Sequence, residues 1–258
     1  MIEITDLKKS FADKDILKGI TTSFEAGKTN LVIGTSGSGK TVFVKCLVGL
    51  LEPTSGTITY DGIDFTALSQ REKKSIRTKI GMLFQGSALF DSMTVEENVM
   101  FPLNMFTSMT TKEKLNRVNF CLERVNLVGA NKKYPAEISG GMMKRVGIAR
   151  AIVLNPKYLF CDEPNSGLDP QTALLIDELL SDITHEYKMI TIINTHDMNS
   201  VMGMGEKIVF LHQGFKEWEG NNQQILDTDN EILYNFIFAS DFLKQLRKGA
   251  GGAIKTDK

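Results

Sequence analysis

The chain has 258 residues, enough to bury a large core as one domain or as a domain with an inserted lobe. Its 30 Lys and Arg nearly balance its 31 Asp and Glu, which argues against a protein that binds nucleic acid mainly by neutralising phosphates. Cys46, Cys121 and Cys161 lie in apolar stretches without paired spacing, so we expect buried thiols in a reducing compartment. No secretion signal is visible, and no apolar run approaches the ~20 residues of a membrane-spanning helix.

The first third of the chain predicts short strands followed by a helix. Residues 2–33 alternate apolar and polar side chains between glycine turns, and residues 57–60, "TITY", add another strand. Together they predict a small antiparallel sheet. From Lys40 the apolar residues recur at helical spacing, and we expect this helix to end before Pro53.

The rest of the chain predicts a parallel α/β sheet interrupted by helices. Between about residues 86 and 156 helical periodicity replaces the strand signals, which predicts an inserted helical lobe. Afterwards the strand-like "YLFCDEP" and "MITIINTHD" flank a helix, and "KIVFLHQGFKEWEG" predicts a hairpin around Gln213. We expect a main domain over 1–235 and a C-terminal extension over 236–258, with a short helix and a disordered tail.

Residues 34–41, "GTSGSGKT", match the pattern G-x-x-x-x-G-K-[ST] between a strand and a helix, as a phosphate-binding loop requires. Glycines let such a loop curl so that its amides point at phosphates, and Lys40 adds a positive charge at the β and γ oxygens. The Thr41 hydroxyl is a ligand for Mg²⁺. The motif predicts a nucleoside triphosphate site that all its residues contact: Gly34, Thr35, Ser36, Gly37, Ser38, Gly39, Lys40 and Thr41.

Four polar side chains further along the chain suit hydrolysis of the triphosphate. Asp162 ends a buried strand and is predicted to hold Mg²⁺, while the adjacent Glu163 is predicted to act as general base toward the attacking water. Gln85 can reach the metal or its water, and His196 can contact the γ-phosphate. Alone, Gln85 is better explained as a surface residue and His196 as a core histidine. Together and in this order they predict a catalytic set.

The stretch "AEISGGMMKRVGIARA" places Ser-Gly-Gly directly before a helix. Ser139 can cap the helix, and Gly140 and Gly141 leave the first backbone N–H groups uncovered. A helix start with bare donors binds anions, because the helix dipole adds to the donors. These residues alone do not say which anion is bound.

The ordered motifs resemble those of the ATP-binding cassette (ABC) ATPases over nearly the whole chain: residues 34–41, Gln85, "ISGGM" at 138–142, Asp162-Glu163, "SGLD" at 166–169 and His196. The resemblance implies an α/β fold, with a P-loop NTPase (RecA-like) core, an antiparallel β subdomain and an inserted helical subdomain. It also implies ATP and Mg²⁺ as ligands. Phe11 matches the aromatic residue that stacks on adenine in that family, although it could equally pack locally.

In ABC ATPases two copies pack head to tail, and the Ser-Gly-Gly helix start of one copy caps the γ-phosphate held by the other. The resemblance therefore implies a homodimer in which Ser139, Gly140 and Gly141 act on the ATP of the second copy. The phosphate is held between two positive helix ends, so ATP binds well only when the dimer is closed. Hydrolysis removes the bridging phosphate and opens the dimer.

Most ABC ATPases have Gln where this chain has Met142. Helical spacing explains Met142 as packing against Val146 and Ala149. The same segment, and "TVEENVMFPL" at 94–103, also resemble the ATPase subunit of MCE-type lipid transporters, the Mla phospholipid system. That resemblance implies a peripheral protein on the cytoplasmic face of the inner membrane, where it drives phospholipid transport. The implied partners are an integral membrane permease, a periplasmic MCE protein and a small regulatory subunit.

The helical lobe is the expected contact with the permease, because it concentrates flexible apolar side chains, some of which its own core will use: Phe90, Met93, Met100, Phe101, Met105, Phe106 and Met109. Other ABC transport or cell-division complexes share every motif and differ only in the partner. Soluble ABC proteins of DNA repair or translation have coiled-coil insertions or tandem cassettes, neither of which is visible here. A P-loop kinase has no use for the Ser-Gly-Gly helix start.

Overall fold

The computed structural model describes residues 1–12 and 14–238. Within them the chain forms two sheets. Their strands are β1 (Ile2–Phe11), β2 (Lys14–Phe24), β3 (Lys28–Ile33), β4 (Ser55–Tyr60), β5 (Ile63–Asp64), β6 (Ile80–Leu83), β7 (Tyr158–Asp162), β8 (Ile190–Asn194), β9 (Lys207–His212) and β10 (Phe215–Gly220). The helices are α1 (Lys40–Leu47), α2 (Gln70–Arg77), α3 (Val95–Phe106), α4 (Thr111–Arg124), α5 (Gly140–Ile152), α6 (Pro170–Tyr187), α7 (Met198–Met204) and α8 (Glu231–Ile237).

The larger sheet has six strands in the order β10-β9-β3-β8-β7-β6, and only β10 runs antiparallel to its neighbour. Its central strands are almost entirely buried because helices or the second sheet cover both faces. Asp162 pairs with Asn194 in register at the carboxyl ends of β7 and β8. The loop after β3 therefore begins beside the residues that end β7 and β8, at the edge where ligands bind in such sheets.

Alternate residues of the central strands pack into two cores on opposite faces of this sheet. Leu31 and Ile33 point to the core that contains α3 to α6, whereas Val32 points to the core that contains α1. The second core also includes the smaller sheet, with antiparallel strands in the order β2-β1-β4-β5. The predicted fold class is thus confirmed, including the small antiparallel sheet.

The helical segment between β6 and β7 is anchored to the sheet by α5. α3 and α4 each begin with a capping box, Thr94 with Glu97 and Thr110 with Glu113. α5 packs against α3 and α4 and also against β6 and α6, so it belongs to both the helical segment and the main core. The assignment of 86–156 as an inserted subdomain of a domain over 1–235 remains a prediction.

The C-terminal part is described only in its first residues. α8 begins at Glu231, before the predicted extension at 236, and most of 236–258 lies outside the described residues. Cys46, Cys121 and Cys161 are buried free thiols. In the described ranges no helix combines the length and apolar character needed to span a membrane.

Candidate active site

A cavity of about 760 Å³ opens at the carboxyl ends of β3, β7 and β8. It brings together the whole predicted phosphate loop, residues 34–41, and the four predicted polar side chains Gln85, Asp162, Glu163 and His196. The other residues that line it are Lys14, Ile16, Val42, Asn194 and Phe236. Residues far apart in sequence meet here because β3, β8 and β7 are neighbours in the sheet.

The loop can adopt its curl only with glycine at its first position. Gly34 has φ +150°, and a Cβ atom there would lie 2.2 Å from the Leu211 carbonyl oxygen and 2.7 Å from Ser38 Oγ. Gly39 stands at the N-cap of α1, has φ +104° and offers no side-chain cap. Within the described residues nothing accepts from the backbone N–H groups of Lys40 and Thr41, so these donors remain for an anion in the cavity.

Lys40 holds the loop around its own ammonium group. Its Nζ donates to the carbonyl oxygens of Gly34 at 2.7 Å and Thr35 at 3.1 Å. Burial lowers the pKa of Lys40, and the charges of Glu163 and Asp162 oppose that shift. A fixed cation beside open backbone donors suits a polyanionic ligand.

The oxygen donors in the cavity fit Mg²⁺. Thr41, Gln85 and Asp162 line it with a hydroxyl, an amide and a carboxylate, which are hard ligands of the kind that Mg²⁺ takes together with substrate phosphates. Among the described residues no group of three His, Cys, Asp or Glu side chains forms a metal cluster. Bound Mg²⁺ would thus depend on a phosphate ligand for much of its coordination, where it would neutralise phosphate charge.

Asn194 is a residue of the site that no sequence motif marks. Its Nδ2 donates to Asp162 Oδ1 at 2.5 Å, which fixes the carboxylate, and its own Oδ1 is buried without a hydrogen-bond partner in the described structure. The sequence contained a signal for it, because Asn194 ends an apolar strand just as Asp162 does. Only the parallel pairing of β7 with β8 makes the two residues neighbours.

Glu163 turns into the cavity because the chain leaves the strand at that residue. Successive strand residues point to opposite faces, but Glu163 has φ +49°, in the left-handed region. Its N–H donates to the Asn194 carbonyl at 2.9 Å, and its Oε1 lies 2.9 Å from His196 Nδ1. His196 thus contacts the predicted general base and orients its carboxylate.

Gln85 is exposed and lies in the turn after β6. Arg150 of α5 holds this turn by donating to the carbonyl oxygens of Ala88 at 2.8 Å and Ser87 at 2.6 Å. Burial lowers the pKa of Arg150. The turn that carries Gln85 is therefore tied to the helix that begins after Ser139.

Residues 139–141 lie outside the cavity of their own chain. Ser139 Oγ accepts from the Met142 N–H at 3.3 Å, and within the described residues nothing accepts from the N–H groups of Gly140 and Gly141. A Cβ on Gly141 would lie 2.7 Å from Thr172 Cγ2, so packing on α6 requires that glycine. A Cβ on Gly140 would meet only Leu168 Cδ2, at 3.8 Å. The packing described here gives no reason for Gly140.

Phe11 also lies outside the cavity. Its side chain is 44% exposed and packs under the Lys9 ammonium, 4.8 Å from the ring centroid. A stacking role toward adenine remains a prediction. The structure instead brings Lys14, Ile16 and Phe236 to the cavity, none of which has a sequence pattern that marks it as a ligand contact.

A family model described as ABC transporter matches residues 17–166, more than half of the chain. This chain belongs to the ABC transporter family. The match spans the phosphate loop, Gln85, the Ser139 helix start and the Asp162-Glu163 pair. Members of this family contain an ATP-hydrolysing cassette, so the chain is an ATPase.

Relatives from this family align with most of this chain. The probable ribonucleotide transport ATP-binding protein mkl of Mycobacterium leprae is 39% identical over 236 residues, which span 92% of this chain and 68% of that protein. The phosphonates import ATP-binding protein PhnC 1 of Ruegeria sp. is 34% identical over 249 residues, 93% of this chain and 97% of that protein. This chain spans about two thirds of the length of the mycobacterial relatives.

A solved structure shares the fold. The ATP-binding cassette MJ0796, in a dimeric post-hydrolysis state bound to ADP and Pi, has a TM-score of 0.78 to this chain and 31% sequence identity. The likeness covers 86% of this chain and 99% of that cassette.

Proposed function

We propose that this chain is the ATP-hydrolysing subunit of a membrane transporter and works as a head-to-tail homodimer beneath a permease, on the cytoplasmic face of the membrane. The observation that carries this proposal is the separation of two anion-binding features. The phosphate loop, Asp162, Glu163 and His196 share one cavity, whereas the Ser139 helix start presents free N–H groups outside it. A second copy of the chain brings the two features together.

In this proposal the residues of the cavity hold ATP and activate water. The loop amides and Lys40 bind the β- and γ-phosphates, and Thr41, Asp162 and Gln85 would hold Mg²⁺, which would neutralise phosphate charge. Glu163 accepts a proton from water as the water oxygen attacks the γ-phosphorus, and the bond from that phosphorus to the ADP oxygen breaks. His196 keeps the Glu163 carboxylate aimed at this water.

The Ser139 helix start of the second copy completes the site by donating to the γ-phosphate. Gly140 supports this role because a side chain there meets little in its own chain, so the absence of one leaves space for a ligand outside. Because the γ-phosphate joins the two copies, hydrolysis weakens their contact. This change between closed and open dimers is the mechanical output.

A groove of about 300 Å³ beside the Gln85 turn is the proposed permease contact. It lies between the end of β6 and α3, and its apolar wall includes Phe84, Phe90 and Phe106, which are 40%, 41% and 51% exposed. Met105 and Met109 of the same segment are also exposed, whereas Met100 packs on the core. A permease helix docked here would contact the turn that carries Gln85 and so sense the nucleotide.

The proposed cargo is a phospholipid, moved with an MCE-type permease, a periplasmic MCE protein and a small regulatory subunit. This rests on the resemblance at 138–142 and 94–103. Met142 packs partly buried against the main core, so its identity also serves packing. The names of the relatives favour a second candidate, the import of a small solute such as a ribonucleotide or a phosphonate.

Two measurements test the proposal. The rate of ATP hydrolysis per chain should rise with protein concentration, since the active form is a dimer, and a rate independent of concentration down to the nanomolar range contradicts the dimer. Affinity purification from membranes should recover a permease. Recovery with a periplasmic MCE protein supports phospholipid transport, and recovery with a solute-binding protein supports the second candidate.

A further inference from the structure

Lys144 of α5 is a buried cation beside the catalytic carboxylates. Its side chain is only 4% exposed, and its Nζ donates to the Glu163 carbonyl oxygen at 3.4 Å. Within the described ranges this is the only hydrogen bond of that ammonium group. Burial lowers the pKa of Lys144, and the charges of Glu163 and Asp162 oppose the shift.

A lysine in this place needs an explanation, because burying an ammonium group is costly unless nearby charges and hydrogen bonds compensate. An apolar residue of similar length would pack without that cost. The partner of the ammonium is the backbone of Glu163, a residue in the left-handed region. A non-glycine residue in that conformation carries strain on the order of 1–3 kcal/mol and persists only where its surroundings hold it.

Several residues hold Glu163, and only one of them belongs to α5. Its N–H is bound by Asn194, its carboxylate by His196, and its carbonyl accepts from the Ser166 N–H at 3.2 Å and from Lys144. The first three partners lie at or just after the carboxyl ends of β7 and β8, on the same edge of the sheet. Lys144 belongs to α5, which begins after Ser139.

We propose that Lys144 is a positioning residue that couples the Ser139 helix to the catalytic glutamate of its own chain. The coupling between sites rests on the head-to-tail dimer proposed above. In that dimer the start of α5 touches the ATP of the second copy, while Lys144 on the same helix holds Glu163 at the ATP of its own chain. When the start of α5 binds the ATP of the second copy and the helix shifts, Lys144 transmits that shift to Glu163 at the ATP of its own chain.

Steady-state kinetics of substituted homodimers test the positioning role. Lys144→Met keeps the length of the side chain and removes the charge, so kcat should fall by about 10-fold or more while KM for ATP stays within about threefold. Lys144→Arg, which retains a cationic donor, should recover part of kcat. Lys73→Met is the matched control, since Lys73 is a lysine of 7% exposure on α2, away from the cavity, and its removal should leave kcat unchanged.

A kcat of Lys144→Met within twofold of the wild type would overturn the proposal. An equal fall of kcat in Lys73→Met would also overturn it. So would a fall of kcat that accompanies a lower melting temperature in both Lys144→Met and Lys144→Arg. If Lys144→Met does not fold, Lys144→Gln provides the same comparison with a neutral donor. The same limits on kcat and KM then decide.

Mixed dimers test the direction of the coupling. One protomer carries Lys144→Met and the other carries Ser139→Arg. If Lys144 acts on Glu163 of its own chain, both changes damage the same composite site, and the mixed dimer should hydrolyse ATP faster than either parent homodimer. If Lys144 only supports the start of its own helix, the two changes damage different sites and activity stays at the level of the parents, which contradicts the proposal.

A second mixed dimer tests the head-to-tail arrangement independently of Lys144. Glu163→Gln in one protomer and Ser139→Arg in the other also fall on one composite site, so this mixed dimer should exceed its parents as well. If it does not, the head-to-tail arrangement is wrong, and the coupling between sites is overturned with it. The homodimer kinetics then decide whether Lys144 positions Glu163 within one chain.

Discussion

The starts of α1 and α5 are chemically alike and differ in what their own chain places in front of them. Both helices leave backbone N–H groups without acceptors in the described structure. At α1 the phosphate loop curls back, and Ser38, Gly39 and Lys40 are buried around a cavity. At α5, Ser139 and Gly140 are exposed. One half of an anion site is thus enclosed by the chain, and the other half faces outward.

The glycines show the same difference. A Cβ on Gly34 would strike the backbone of β9, so the fold of one chain accounts for that residue. Gly141 is likewise explained by Thr172, but a Cβ on Gly140 would make only one ordinary contact, with Leu168 at 3.8 Å. Because packing within the chain does not require a glycine at Gly140, we infer that this glycine serves a contact between chains.

The largest effect is expected at the enclosed half. Glu163→Gln removes the general base, so the hydrolysis rate should fall by roughly 100- to 10,000-fold while ATP still binds. Turnover of radiolabelled ATP and a binding titration measure the two quantities. Glu178→Gln, at an exposed glutamate of α6, is the control and should leave both unchanged. Turnover of Glu163→Gln within a few fold of the wild type would remove Glu163 from its assigned role.

Lys40→Ala should weaken ATP binding by about 10- to 100-fold, because charge-assisted hydrogen bonds to the phosphates are lost. The Lys40 bonds that keep the loop curled are lost as well. Isothermal titration measures the change. Lys45→Ala, at the exposed end of the same helix, should bind ATP as the wild type does. Equal affinities of the two variants would show that the loop does not hold the phosphates.

Two neighbouring glycines separate packing from function at the outward half. Gly141→Ala forces a contact with Thr172 and should lower the free energy of unfolding by about 1–3 kcal/mol. Gly140→Ala fits its own chain, so the free energy of unfolding should stay within about 1 kcal/mol of the wild type, while the hydrolysis rate falls about 10-fold. Urea denaturation and a turnover assay distinguish them. A Gly140→Ala protein with full turnover would leave the exposed helix start without a role.

The smallest effect is expected at a charge whose partners all lie within the chain. Burial alone would raise the pKa of Asp61, but hydrogen bonds from Lys157, the N-terminal amine and Tyr158 outweigh it and hold the pKa below its ordinary value. The contribution of the Asp61 carboxylate to the free energy of unfolding is therefore complete above about pH 4, the ordinary pKa of Asp. It is lost as pH falls through the lowered pKa. Because Asp61 is partly exposed, Asp61→Asn should lower the free energy of unfolding by only about 1 kcal/mol at pH 7.

Urea denaturation of Asp61→Asn and wild type across pH 2 to 7 checks this sign. The difference in free energy of unfolding should shrink toward the acid end, and ATP turnover at pH 7 should be unchanged. A difference that stays constant with pH would show that the carboxylate charge contributes nothing. The ion pairs of Asp61 would then not stabilise the fold.

The sequence predicted most of the enclosed half because its residues follow local patterns. The loop at 34–41 and the pair Asp162-Glu163 stand next to strands whose periodicity is visible in the chain. Asn194 and Lys144 escaped prediction for another reason. Asn194 matters only because β8 pairs with β7, and Lys144 matters only because the packing of α5 against β6 and α6 brings it within hydrogen-bonding distance of the Glu163 carbonyl. A single sequence does not show such pairings.

The sequence marked Glu163 as the general base at the end of a strand, but it did not show how the backbone turns there or what holds that turn. The left-handed turn at that residue has no glycine to mark it, and the contacts that hold it come from the end of β8, through Asn194 and His196, and from α5, through Lys144. Phe11 is a different case. The family pattern marks it as a ligand contact, the structure places its ring under the Lys9 ammonium outside the cavity, and its stacking on adenine stays a prediction.

The claim that one chain completes the ATP site of another is tested most directly by a crosslink. Ser139→Cys and Ser36→Cys are introduced in the Glu163→Gln background, where the native cysteines are buried and do not compete. With ATP and Mg²⁺, oxidation should join two chains through residues 139 and 36, and the bond should not form without ATP. Chains that bind ATP but stay unlinked, with or without Mg²⁺, would contradict the account.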